Sequence, residues 1–293
     1  MIKQILAISS IVLFSSAISA AEIIPYGSFN YKWSNDENSS GKTYSKLEDN
    51  GSSIGVEVID LGAEGDTITG FAKLEVGVDT DDSGSDTFDS KLAYVGLDSN
   101  MGALSVGRQS HPFADNIGGK TSIFNVYGGS SDWNYASRSS NSMKFSTTQS
   151  GLTLDTIGIV DGSSTNTNAF DEFEVTISTK LFGSDVSVGY ADDVNSDISY
   201  WGVAGSTDLG PLNMSSSYTI YDAATDKYGL EVTASYSIFS VGYGDKEGTG
   251  LSYTAGASHS LTDSVSVYAE GEMKDLDSGS DTTSWSIGSK LTF

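Results

Sequence analysis

The sequence predicts an all-β fold, a transmembrane barrel of sixteen antiparallel strands, and three observations favour it. Apolar and polar residues alternate with a period of two along most of the chain, as they do in half-buried strands. Sixteen such segments are found, each near the ~10 residues that a tilted membrane-crossing strand needs. Short turns and longer polar connections alternate between them, which is the pattern of membrane-spanning barrels.

The first residues predict an export signal over residues 1–21. Lys3 gives a positive start, an apolar run extends from Ile5 to Ile18, and small residues follow, so that cleavage after Ala20 or Ala21 fits equally. A membrane anchor is the alternative, but the apolar run is shorter than the ~20 residues that a spanning helix needs. The remaining residues, 22–293, are predicted to form the barrel domain.

Composition excludes several classes of protein. The chain has no cysteine, which excludes a disulfide-stapled scaffold, thiol catalysis and thiolate metal sites. The net charge of -24 argues against nucleic acid as a partner. Two explanations of this acidity stay open, since acidic loops either keep the protein soluble or line a path that ions take.

The polar faces of the strands are predicted to point inward. In the third segment Leu74 and Val76 lie on one face, whereas Lys73 and Glu75 lie on the other, with the aromatic Phe71 as an exception. Sixteen strands enclose a lumen too wide to fill with side chains, so the interior holds water and the apolar faces meet lipid. The predicted strand cores are 23–34, 52–62, 67–79, 88–98, 102–110, 138–148, 151–161, 171–182, 185–193, 197–207, 212–222, 227–236, 239–246, 250–260, 264–275 and 282–293.

The longest connection, residues 111–137, separates two predicted strands and has an arginine at each side, Arg108 and Arg138. Loops of this length inside a compact β protein are uncommon and usually functional. We expect this segment to fold into the barrel and to form its narrowest point. It is called the constriction loop below.

Several segments resemble the trimeric general porins of Gram-negative outer membranes. They are Ser53–Gly62, Lys91–Leu97, Met101–Gln109 with Pro112, and Ile287–Phe293. The resemblance implies a homotrimer in the cell outer membrane, among its lipids and lipopolysaccharide, that passes small solutes and ions without a cofactor. It also implies that Phe293 is a signal for the outer-membrane assembly machinery.

The resemblance places Arg108 and Arg138 on the barrel wall opposite the loop, which offers Asp115 and Asp132. Acids on the loop opposite arginines on the wall create a transverse field that orients dipolar solutes. Each loop acid is otherwise an ordinary turn or solvated residue.

Strand parity decides where the two arginines point. Arg138 shares parity with Lys144 and is expected in the lumen, whereas Arg108 shares parity with the lipid-facing Val106. We therefore expect a bulge or twist near Gly107 that turns Arg108 inward. The alternative is that Arg108 lies above the lipid band and is merely solvated.

Lys73, Lys91 and Glu57 are further candidates for the constriction. Glu57 stands where the family often has a lysine, and acids outnumber bases in the whole chain. These observations favour a weak cation preference.

A weak calcium signature lies in an external connection. Asp79, Asp81, Ser83 and Gly84 fit the start of an EF-hand loop, but Ser90 stands where a bidentate glutamate is needed. An acidic external loop that binds no metal explains the same residues.

Catalytic motifs are missing from the sequence. The two histidines, His111 and His259, lie far apart in the chain, and no Gly-x-Ser-x-Gly or His-Glu-x-x-His motif is present. A barrel lipase or protease remains the enzymatic alternative. The sequence favours passive diffusion of small hydrophilic solutes and ions; the alternatives are a solute-selective channel of the same fold and a structural or adhesive barrel.

Overall fold

The computed structural model is a closed barrel of sixteen antiparallel strands, which confirms the predicted fold class. It describes residues 21–62, 65–81, 87–129, 135–160, 170–194, 196–222 and 226–293. The predicted export signal, apart from Ala21, lies outside the described residues and stays a prediction.

The barrel closes where β1 pairs with β17, from Ser28 opposite Thr292 to Asn35 opposite Trp285. The strand elements are β1 (Glu22–Glu37), β2 (Thr43–Asp49), β3 (Ser53–Leu61), β4 (Ile68–Val78), β5 (Phe88–Ser99), β6 (Gly102–Ser110), β7 (Arg138–Gln149), β8 (Leu152–Ile159), β9 (Glu172–Leu181), β10 (Ser184–Asp193), β11 (Ile198–Leu209), β12 (Leu212–Asp222), β13 (Lys227–Tyr236), β14 (Phe239–Lys246), β15 (Gly250–Ser260), β16 (Val265–Leu276) and β17 (Thr282–Thr292).

Two of these elements, β2 and β3, are halves of one barrel strand. Both pair with β1, and the strand is interrupted between Asp49 and Ser53. The half named β2 lies in a segment that was predicted from the sequence to be a loop. Its outward-facing positions carry little apolar surface, with Leu47 as the exception, so the two-residue alternation is weak there.

The short turns at one end of the barrel have the geometry of tight hairpins. Ser150 and Gly151 have φ values of 53° and 81°, and Phe182 and Gly183 have 53° and 89°. Two successive residues with positive φ form the turn that matches the right-handed twist of paired strands. These two tight turns therefore form short connections that the sequence predicted at this end of the barrel.

The two faces of the wall have opposite polarity. Leu97, Met143 and Trp201 are large apolar side chains on the outer face, and at least half of each side chain is exposed. Thr219 and Thr233, which face inward, are buried. This arrangement is the reverse of a soluble β-sandwich, and it confirms that polar residues face the lumen.

The constriction loop contains a short helix, α1 (Pro112–Asn116), and a 3-10 turn (Gly118–Lys120). Pro112 occupies the first helical turn, where its missing N–H costs no hydrogen bond. Both pieces pack against the inner faces of β8–β12, so the loop lies inside the barrel as expected.

No helix among the described residues is both long and apolar enough to cross a membrane.

Candidate functional site

An apolar contact holds the start of the constriction loop against the inner wall. Phe113 and Ile117 are fully buried and lie over Gly189 and Gly202 of β10 and β11. A Cβ atom at Gly202 would lie 2.7 Å from Ile117 Cγ2 and 2.9 Å from Phe113 Cζ, so the wall accepts the loop only without a side chain there. Tyr135, later in the loop, packs edge-on against Phe113, with 4.9 Å between ring centroids.

A buried ionisable pair supports the same turn. His111 Nδ1 lies 2.6 Å from Glu174 Oε1 of β9, and the Phe113 backbone N–H donates to Glu174 Oε2 at 3.0 Å. Both side chains are almost fully buried, at 0% and 3% exposure. One carboxylate therefore fixes both the entrance of the loop and the first turn of α1.

Three more buried glutamates hold the rest of the described loop. Gly129 N–H donates to Glu231 at 2.8 Å, and Val126 N–H donates to Glu270 at 2.9 Å. Gly128 N–H reaches Glu272 at 3.4 Å. These carboxylates take the backbone donors of an irregular segment that has no strand neighbour to satisfy them.

The glutamates on the wall are site residues that the sequence reasoning did not recognise. Parity alone placed Glu270 and Glu272 on the polar face, and this was the available signal. Their task of accepting loop N–H groups depends on the path of the loop, which the alternation does not contain. Part of the acidity that favoured a cation path therefore has a structural use.

Asp115 is the described loop acid that faces a base on the wall. Its Oδ2 lies 3.8 Å from Lys144 Nζ of β7, and the same ammonium donates to Ser110 O at 3.2 Å. Partial burial raises the pKa of the Asp115 carboxyl, and the Lys144 charge opposes that shift. The expected pairing of a loop acid with the wall exists, but its partner is lysine; Asp132 lies outside the described residues.

The structure places Arg108 on the outer face and corrects the expected inward position. A bulge does occur at this point, but its extra residue is in β7, where Gly107 and Gln109 of β6 pair with Ser142 and Ser139. Parity along β6 is thus unchanged, and Arg108 pairs with Ala93 on the face of Val95. Its guanidinium donates to Ser90 O at 3.0 Å and Ser140 Oγ at 3.3 Å.

The same bulge reverses the expected parity of Arg138. Asn141 adopts a left-handed conformation with φ of 55°, and the extra residue shifts everything before it by one position. Ser139 then pairs with the buried, lumen-facing Gln109, while Arg138 pairs with Ser110 on the opposite parity. A one-residue slip moves a side chain to the other face of a sheet.

The other constriction candidates divide into two groups. Lys73 does lie in the lumen, 3.4 Å from Glu57 on the neighbouring strand and 4.8 Å above the ring of Tyr26. Lys91 is the extra residue of a bulge in β5, and its ammonium donates to the carbonyl oxygens of Gly51 and Ser52 at 2.9 and 3.3 Å. Lys91 therefore holds the interruption between β2 and β3 in place.

An open cavity of about 360 Å³ lies between α1 and the wall formed by β4–β8. Lys73, Asp115, Lys144 and Asp155 supply its charges. The two carboxylates and two ammonium groups thus lie beside the part of the loop that is inside the barrel. The cavity, with its boundary α1, is the candidate site of solute passage.

The described calcium candidates take part in local hydrogen bonds. Asp81 N–H donates to Asp79 Oδ1 at 3.1 Å, and Asp49 N–H donates to Asp81 Oδ2 at 2.8 Å. Ser83 lies outside the described residues. Within the described part of the chain, no three carboxylate, imidazole or thiol side chains come together as a metal site.

Phe293 closes the barrel at its seam. Its backbone N–H and C=O exchange hydrogen bonds with Gly27 at 3.1 and 3.0 Å, and its ring stacks on Phe29 with 6.1 Å between centroids. A Cβ atom at Gly27 would lie 2.6 Å from Phe293 Cζ, so the ring requires a glycine beneath it.

Comparisons with known proteins agree with this architecture. The family model for Gram-negative porins matches residues 7–279. The anion-selective porin from Comamonas acidovorans is similar in structure with a TM-score of 0.79 and 16% identity, over 94% of this chain and 100% of that one. The trimer form of in-vitro folded OmpT from Vibrio cholerae gives 0.74 and 16%, over 94% and 100%.

A third structure, OmpF of Salmonella typhi in complex with daunomycin, gives a TM-score of 0.73 and 16% identity, over 92% of this chain and 97% of that one. The search of curated proteins found no match. Because the family model spans most of the sequence, and because the barrel matches known porins, this chain belongs to the Gram-negative porin family and is a β-barrel of the outer membrane.

Proposed function

We propose that the barrel passes small hydrophilic solutes and ions by passive diffusion, without a cofactor and without catalysis. The observation that carries this proposal is the constriction loop, held inside the lumen by buried contacts while a charged, open cavity remains between α1 and the wall. Such a loop excludes large solutes by size, and the fixed charges beside it act on those that pass.

We further propose a weak cation preference. Lys73 lies beside Glu57, and Lys144 lies near Asp115, so each wall base has an acid close to it. Asp155 adds a further carboxylate at the cavity, while Arg108 and Arg138 have outward parity and add no positive charge to it. With Glu57 counted beside the cavity, three carboxylates accompany two bases, although one similar structure is described as an anion-selective porin.

We also propose a homotrimer, for which the OmpT trimer is the supporting comparison. The outer faces of the first strands, with the exposed Phe29 and Leu74, are the proposed interface. Lipopolysaccharide and outer-membrane lipids would meet the remaining outer faces, and the assembly machinery would recognise Phe293.

Planar-bilayer recording of the refolded protein under a salt gradient tests these proposals together. Conductance steps in groups of three with a reversal potential on the cation side are expected. Absence of any step contradicts the channel and supports the structural barrel. A reversal potential on the anion side contradicts the cation preference alone, and saturable block by one class of solute supports the solute-selective alternative.

A further inference from the structure

An apolar patch lies beside the cavity and is formed by Phe71, Leu92 and Tyr94 of β4 and β5. Phe71 is the aromatic residue that breaks the alternation of its strand, since it shares the inward parity of Lys73. Its ring lies against Gly96, where a Cβ atom would collide with it, and edge-on to Tyr94 with 6.3 Å between centroids. Glycine at position 96 thus leaves room for a ring that lies flat on the wall.

The patch leaves apolar surface exposed inside the lumen. All three side chains are only partly buried, and they face a water-filled space rather than lipid. Apolar surface exposed to water carries a free-energy cost of roughly 25 cal/mol per Å². A solute whose apolar part covers this surface removes some of that cost. The patch therefore favours solutes with an apolar part.

The same cavity also carries a separated pair of charges. Asp115 Oδ2 and Lys144 Nζ are 3.8 Å apart, longer than the ~2.7–2.9 Å of a close charge-assisted hydrogen bond. The Asp115 side chain is 52% exposed, and the Lys144 ammonium retains donors beyond its bond to Ser110 O. Both groups therefore remain able to bind a solute that carries charges of both signs.

We propose that this cavity is a low-affinity binding site for zwitterions with an apolar side chain, namely α-amino acids such as leucine and phenylalanine, and short peptides of the same character. The ammonium group of the solute binds Asp115, its carboxylate binds Lys144, and its side chain covers Phe71 and Leu92. The volume of about 360 Å³ is at the lower end of the ~300–1,000 Å³ typical of ligand pockets, which restricts the site to small solutes.

The charge arrangement selects the zwitterion over simpler ions. An organic cation that approaches Asp115 also meets the Lys144 ammonium, and an organic anion at Lys144 also meets the Asp115 carboxylate. A zwitterion pairs with both at once, so neither charge is left facing one of its own sign. This inference rests on the proposed diffusion function, because a solute reaches the cavity only through an open lumen.

Single-channel recording with four solutes tests the site: leucine, serine, isopentylamine and 4-methylpentanoate. Leucine has both charges and the apolar side chain, and each of the others lacks one of the three. We expect leucine to cause concentration-dependent interruptions of the current at concentrations about tenfold lower than serine does, as expected for covering part of one leucine side chain. Leucine should also act at lower concentrations than isopentylamine and 4-methylpentanoate, because each of these leaves one charge of the Asp115–Lys144 pair without a partner. Equal effects of leucine and serine overturn the proposal.

Matched variants locate the effect. Phe71→Ser and Lys144→Gln should each reduce leucine block about tenfold, whereas Tyr44→Ser, which alters an exposed aromatic residue of β2 outside the cavity, should leave it unchanged. Leu92→Ser provides a second test of the patch where Phe71→Ser does not assemble. Unaltered block in Phe71→Ser or in Leu92→Ser overturns the site while channel conductance persists, and a wild-type protein without conductance instead overturns the diffusion function on which the site rests.

Discussion

His111 and Glu174 join the entrance of the constriction loop to the inner wall, with 2.6 Å between Nδ1 and Oε1. Both are buried, and His111 Nε2 has no hydrogen-bond partner among the described residues. The imidazole thus depends on one carboxylate for its hydrogen bonding. Because Glu174 also accepts the Phe113 N–H, a single side chain on β9 binds both the entrance of the loop and the first turn of α1.

Replacement of Glu174 by alanine is expected to loosen the loop. The His111 Nδ1 and the Phe113 N–H lose their acceptor, at a cost of about 1–3 kcal/mol for each buried group. Single-channel current should become noisier, and larger neutral solutes should enter in liposome-swelling assays. Glu174→Gln retains an amide oxygen as acceptor and should show a smaller change. An unchanged current and an unchanged size limit in Glu174→Ala would mean that the loop is held mainly by its other contacts.

The apolar contact of the loop gives a second prediction. Phe113→Ala removes a fully buried ring, a change that typically costs about 3–5 kcal/mol. The cost should fall on loop docking rather than on the barrel, since the strand ladders do not include Phe113. We expect faster tryptic cleavage after Lys120 with little change in the thermal unfolding of the barrel.

Phe182→Ala is the matched control for that experiment, because Phe182 lies fully exposed in a short turn. It should alter neither cleavage after Lys120 nor barrel stability. Equal cleavage rates in Phe113→Ala and the wild type would contradict the proposed role of the ring in holding the loop.

Strand positions were accessible from the sequence because each strand separates water from lipid. The alternation of Leu74 and Val76 with Lys73 and Glu75 reports this directly, and the structure confirms it. The inward folding of the loop was likewise inferred from its length. The half-strand β2 was missed because its outward face has too little apolar surface to produce the same signal.

The orientation of Arg138 was not accessible for a physical reason, whereas the unbroken parity of β6 already placed Arg108 on the outer face. Parity is transmitted along a strand only while every residue is paired, and one extra residue in β7 reverses it for Arg138. The bulge does lie beside Gly107 as expected, but its extra residue is in β7, where Asn141 adopts the left-handed conformation. Asparagine tolerates that conformation, but it is also common in ordinary polar positions, so its presence alone does not locate a bulge.

The raised pKa of Asp115 predicts a pH dependence of ion selectivity. Burial opposes the charged carboxylate, so the folded protein takes up this proton at a higher pH than an exposed aspartate does. As pH falls through the raised value, the lumen loses a negative charge and the cation preference should weaken. Ionisation of Asp115 correspondingly costs stability above its folded pKa, and the cost is absent below the unfolded pKa.

Reversal potentials measured between neutral and acidic pH check this expectation. Asp115→Asn should remove the early part of the pH response and leave the later part, which other carboxylates produce. Asp185→Asn alters a carboxylate at the start of β10, beside a short turn and outside the cavity, and should retain the full response. A response in Asp115→Asn identical to that of the wild type would assign the titration to another group.

Phe293 contributes to the barrel seam and is also the proposed assembly signal. One variant can separate these two roles. Phe293→Ala loses the stacking on Phe29, worth about 0.5–1.5 kcal/mol beyond area burial, but retains the backbone bonds to Gly27. Purified, refolded variant should therefore be only slightly less stable in thermal unfolding. In cells the amount of assembled barrel should fall much further than this stability loss accounts for, because the assembly machinery no longer recognises the residue.

Leu291→Ala, at an outward and partly exposed position of β17, is the matched control with a similar loss of apolar surface. Equal levels of the two variants in the membrane would show that Phe293 acts through seam packing alone.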